Sequence, residues 1–158
     1  MWRFLTILTL TYTLLINGKD HFLPAFLHLF LPVSDFRATL YEILILIIGV
    51  VSAFLTYMLG SFSRSYYRCE KVPFLLFLVL LLVIYLFFRF VYSFTPFTFF
   101  VLEWVDLLAE PYRLLTFSYL YSEWVGLFLF FLFLWMGYEG KRAEERRWRQ
   151  LGKAFPSL

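Results

Sequence analysis

The run 38-ATLYEILILIIGVVSAFLTYMLG-60 carries a single charge, Glu42, among twenty-three residues. A helix that crosses the hydrocarbon core of a bilayer needs about 20 predominantly apolar residues. Two further runs meet the same requirement with one charge each: 73–95, which holds Arg89, and 117–138, which holds Glu123. A fourth apolar run, 2–16, is shorter and ends at Asn17-Gly18-Lys19-Asp20, a turn-forming sequence that reads as a break. It has the basic start and apolar length of a signal peptide but no A-x-A-like cleavage site, and we read it as a short first span.

Composition agrees with these runs. Hydrophobic residues make up 62% of the 158-residue chain and charged residues 16%, where soluble domains are about half apolar and about one quarter charged. The mean hydropathy is +0.77. A small soluble fold has too little interior to hide so much apolar surface, so lipid is the expected solvent.

Two apolar pieces remain. Residues 22–31 are flanked by Pro24 and Pro32 and are too short to span. Residues 97–110 lie between Pro96 and Pro111, with Glu103, Asp106 and Glu110 spaced by three and four. On a helix these three acids share a face and form an acidic stripe, a pattern suited to a helix in the interface or dipping partly into the bilayer. The expected fold is therefore an all-α integral membrane bundle of four transmembrane helices. It has one or two short interfacial or re-entrant helices on the outer side and a basic C-terminal helix extension. The transmembrane domain is 1–138 and the tail 139–158.

Orientation follows from the fourteen Lys and Arg residues. The loop between the second and third spans holds Arg64, Arg68 and Lys71. The tail holds Lys141, Arg142, Arg146, Arg147, Arg149 and Lys153, and Arg3 lies at the start. The opposite loops hold only Lys19, Arg37 and Arg113, and they carry Asp20, Asp35 and the acidic stripe. The positive-inside rule places both termini and the central loop on the cytoplasmic or equivalent side. The clustered basic residues form an anchor suited to anionic lipid headgroups. The basic character belongs to the tail and loop rather than to a broad surface, which argues against nucleic acid as a partner. Trp104 and Trp124 are expected at the outer interface, Trp2 and Trp135 at the inner one.

Glu42, Arg89 and Glu123 are expected at similar depth in the outer third of the membrane, where ionisable groups tend to face the protein interior and pair. They form a candidate cluster that fixes helix register, or alternatively an ion or proton site, since one arginine neutralises only one of two carboxylates. Arg113 is within reach of Glu110. Gly49 and Ala53 form a small-xxx-small pair suited to close helix packing, within the chain or between subunits. His21 and His28 fall in one short segment, which does not supply a haem or other metal site. The one cysteine, Cys69, is juxtamembrane and flanked by Arg68, a possible acylation position. No Gly-rich phosphate loop, HExxH or GxSxG motif occurs, and no cofactor is implied. These features point to a non-catalytic accessory or assembly subunit of a larger membrane complex, with other membrane subunits or further copies of itself as partners. A small homo-oligomeric ion channel is the alternative.

Overall fold

The structure, a computed structural model, describes residues 2–31, 35–90, 96–116, 119 and 121–154. It is helical, with no strand among these residues. The helices are α1 (Trp2–Asn17), α2 (Leu23–Phe30), α3 (Asp35–Ser65), α4 (Lys71–Phe90), α5 (Pro96–Thr116) and α6 (Ser122–Ala154). Residues 91–95 and 117, 118 and 120, which the sequence assigned to the ends of two spans, lie outside the described residues. We call the end of the bundle where α1 stops and α3 and α6 begin the upper end.

Two helices, α3 and α4, are long and apolar enough to cross a membrane. The apolar stretches of α1 and α6 run beside them. The first half of α6 has no charged residue between Glu123 and Glu139, and its second half is the basic tail, continuous with it to Ala154. α1 carries four threonines, yet their hydroxyls do not interrupt it. Thr6 donates to Trp2 O (3.0 Å) and Thr13 to Thr9 O (2.8 Å), while the Tyr12 hydroxyl and Thr56 Oγ1 bond to each other across to α3. Returning polar hydrogens to backbone carbonyls one turn earlier lets such residues sit in apolar surroundings.

Glycines set the helix crossings. Gly60 of α3 rests on the carbonyl of Leu134 in α6, and Gly137 of α6 rests on the carbonyl of Tyr57 in α3. A Cβ at either position would overlap backbone. Gly49 of α3 receives the ring of Pro111 in α5, and Gly126 of α6 lies against Val105 O and Ala109 of α5. Three helix pairs thus meet through missing side chains, the close approach that small residues permit where no hydrophobic effect drives association. Gly49, singled out by its small-xxx-small spacing with Ala53, is one of these contacts. Ala53 is partly buried against the core.

The buried set places Phe4, Leu8 and Tyr12 of α1, Leu59 of α3, Phe74 of α4, Leu107 and Leu108 of α5, and Phe130, Leu134 and Tyr138 of α6 in one cluster. α5 is therefore wedged into the bundle, and it is longer than the apolar piece 97–110 because Pro111 does not end it. The Pro111 ring, which would collide with a neighbour of ordinary size, is accommodated by Gly49. Trp104 is 9% exposed and packs tilted against Tyr12 (5.4 Å between rings), so it is a core residue and not an interface anchor.

The break expected at Asn17–Asp20 is absent. Gly18–Phe22 form a π-helical turn that carries α1 into α2, and Pro24, which has no N–H to donate, follows directly on this widened turn, where the regular i−4 ladder is already interrupted. The reason is Lys19. The wider turn swings this residue inward, and it is only 4% exposed.

Because Gly137 meets backbone, Gly137→Leu is expected to force α3 and α6 apart and to lower stability in detergent by about 3 kcal/mol, the scale of core overpacking. Gly18→Ala, with nothing within 4 Å of the added carbon, should change it far less. Thermal unfolding of the two variants checks the contrast.

Candidate functional site: the two charge layers

Charged residues gather at the two ends of the bundle. At the upper end Lys19 Nζ lies 3.1 Å from Asp20 Oδ1 and 3.1 Å from Glu110 Oε2. Burial works against the ammonium, but Glu110 and Asp20 together outweigh it and hold its pKa above the ordinary lysine value. The sign is that of a raised base. The stabilisation is complete below the usual lysine pKa and is lost only as pH rises through the raised one. Beside this triad, Arg113 donates from Nη2 to Asp106 Oδ1 (2.8 Å) and from Nε to Ser122 Oγ (2.8 Å), and Ser122 Oγ in turn donates to Tyr119 O (3.0 Å). The arginine thereby ties the turn between α5 and α6, where Tyr121 takes φ 60°. The expected reach of Arg113 to Glu110 is replaced by this arrangement, since Glu110 is taken by Lys19.

Arg89 Nη2 and Glu123 Oε2 are 2.9 Å apart, joining α4 to α6 with both side chains near two-fifths exposed. Glu42 is not with them. It is exposed on α3 and forms no ion pair among the described residues. The acidic stripe is likewise divided: Asp106 goes to Arg113 and Glu110 to Lys19, while Glu103 stays half-buried. Spacing placed the three acids on one face, but it gave no sign that two of them would be claimed by different cations from different segments. The residue that sequence reasoning missed is Lys19, hidden by a turn-like context. Its signal was a lone lysine in an outer loop otherwise rich in acids.

The lower end is organised around the carbonyl of Cys69, which accepts from Arg64 Nη1 (3.2 Å) and from the Tyr138 hydroxyl (3.1 Å). Arg64 also meets Glu145 (3.0 Å), Arg142 meets Glu139 (3.1 Å), Lys141 meets Glu144 (2.8 Å), and Lys71 lies 3.9 Å from Glu139 and 5.6 Å from the centre of the Trp135 ring. Half of the expected basic anchor is thus spent on acids of the protein itself. Arg68, Arg146 and Arg147 remain exposed without an ion pair among the described residues, and the side chain of Arg149 lies outside them. Cys69 is 7% exposed, and burial pushes its thiol pKa up. Both effects favour an inert thiol over an acylated one.

No group of three or more His, Cys, Asp and Glu is arranged to hold a metal ion among the described residues, and His21 and His28 are both exposed. Comparison with protein families, curated proteins and solved structures finds no match.

Removing Glu110 leaves a buried ammonium with one partner. Glu110→Ala is expected to cost roughly 2 kcal/mol, less than a wholly buried pair because Glu110 is 27% exposed. The double replacement Lys19→Met with Glu110→Leu should recover most of that loss, and denaturation in detergent measures both. At the lower end Arg68 takes φ 50°, a left-handed conformation that favours glycine. Arg68→Gly should therefore stabilise the loop between α3 and α4 by about 1 kcal/mol, read as a higher unfolding midpoint.

Proposed function

We propose that this chain is a multi-pass membrane protein in which α1, α3, α4 and α6 cross the bilayer. In this reading α2 and the upper part of α5 lie on the outer side, and both termini lie on the cytoplasmic or equivalent side. The observation that supports it is a belt between the two charge layers. The sequence is free of charge from Phe4 to Gly18, Ile43 to Ser63, Val72 to Phe88 and Trp124 to Tyr138. Large apolar side chains of this belt point outward, among them Leu14, Val50, Phe54, Leu76, Leu80 and Phe128. In water so much exposed apolar surface would drive association, whereas in lipid it is the ordinary exterior.

Within that frame the chain acts as a non-catalytic accessory or assembly subunit. Among the described residues no metal-holding group accompanies its carboxylates, and Lys19–Glu110, Arg64–Glu145, Lys71–Glu139 and Arg89–Glu123 bind helix to helix. A second reading, a small homo-oligomeric channel or transporter component, draws on the upper layer, where Asp20, Glu103, Asp106, Glu110 and Glu123 outnumber Lys19, Arg89 and Arg113. An acidic mouth of this kind concentrates cations.

Purification in mild detergent followed by mass spectrometry separates the two. Other membrane polypeptides in fixed stoichiometry are expected for the accessory subunit. A particle containing this chain alone, together with cation flux in liposomes that Glu123→Gln alters, would replace that reading with the channel.

A further inference from the structure

A cleft of about 200 Å³ opens between α1 and α4, with α5 and α6 as its back wall. Leu5 and Thr9 line one side and Leu81, Ile84 and Tyr85 the other, and Trp104 and Leu127 stand behind. The lining is carbon almost throughout. Its floor is closed by Phe4, which packs edge-on against Phe77 (5.4 Å) and tilted against Phe74 (6.4 Å). Above that contact no ring pair joins α1 to α4 among the described residues. At the top, Arg89 is one turn beyond Tyr85 on α4, and Glu123 one turn before Leu127 on α6. The 2.9 Å ion pair between them therefore forms a lip over the cleft. Arg89 is 44% and Glu123 41% exposed, so this lip presents one charge of each sign to whatever enters.

We infer that the cleft holds one acyl chain of an outer-leaflet phospholipid with a zwitterionic headgroup, a reading that rests on the membrane placement proposed above. The chemistry selects the occupant. Apolar cavities do not retain water and take up apolar molecules instead. The space is smaller than the 300–1,000 Å³ common for drug-sized ligands, which suits a segment of chain better than a compact molecule. The phosphate faces Arg89 and the ammonium faces Glu123, so the pair is shared with the headgroup rather than broken. The chain fills the gap between α1 and α4 above Phe4, while α4 itself is held on α5 and α6 by Phe74 on Tyr138 (4.3 Å between rings) near its base and by Tyr85 packed with Val105 and Leu127 higher up.

Trp104 provides the test, because it lines the cleft and is otherwise only 9% exposed. The full chain, with Trp2, Trp124, Trp135 and Trp148 changed to Phe, is reconstituted in phosphatidylcholine vesicles whose chains are brominated at mid-length. Trp104 is expected to lose more than half its fluorescence relative to unbrominated vesicles. Filling the cleft by Thr9→Phe, or from the opposite wall by Leu81→Trp in a Trp104→Phe background read for retained chain by native mass spectrometry, should abolish the bound chain. A reporter at lipid-facing Leu80 (Leu80→Trp with Trp104→Phe) monitors insertion. If the Leu80 reporter is quenched and Trp104 is not, or if Thr9→Phe leaves Trp104 quenched, the inference is overturned while the membrane placement stands. If neither reporter is quenched, the membrane placement fails and the inference with it. Quenching of Trp104 by free brominated fatty acid in unbrominated vesicles, but not by brominated phospholipid, would overturn the assignment to a phospholipid.

Discussion

The contact on which the rest depends is the meeting of α3 and α6 at Gly60 and Gly137, where the backbone of each helix touches the other with no side chain between. In a lipid environment helices gain little by burying apolar groups against each other, because the alternative neighbour is equally apolar. Association then rests on van der Waals fit and polar contacts. Two glycines one helical face apart give the closest fit available, and they fix the register of the two longest helices. With those contacts made, Arg64 meets Glu145 at the lower end. α5 is then locked between them, with Pro111 on Gly49 and Ala109 on Gly126.

The charges follow the same logic. Lys19 could have remained in solvent, yet a π-helical turn brings it inside, where Asp20 and Glu110 surround it. This joins the end of α1 to α5, a helix far away in sequence. Arg89 and Glu123 join α4 to α6, and Arg113 ties the turn before α6 to α5. Lys19–Glu110 and Arg89–Glu123 link different helices, and Arg113 of α5 reaches Ser122 at the start of α6, so the upper layer works as a clasp. At the lower end the ties run through one backbone carbonyl, that of Cys69, which explains why the cysteine is buried although its context is basic and juxtamembrane.

α4 is the exception to this tight assembly. It has no glycine and meets its neighbours through aromatic and aliphatic side chains, with rings packed at its base and an ion pair near its top. It packs on α5 and α6 through Leu78 and Tyr85 but stands off α1 above Phe77, and that separation leaves the apolar cleft.

The sequence by itself determined the helical class, the apolar stretches and the continuation of the last helix into a basic tail, because these depend on composition and on spacing along one helix; it grouped Arg89 with Glu42 and Glu123 without selecting between the two carboxylates. It also marked Gly49 as a packing position, though not its partner. Only the tertiary structure decided that Glu42 stands apart, that the acidic stripe is divided between Lys19 and Arg113, that Trp104 is core, and that Asn17–Asp20 continues as a helix. The burial of Trp104 and Lys19 and the capture of Glu110 depend on which segments pack together, set in part by backbone contacts at a few glycines, and no periodicity within a single helix records that.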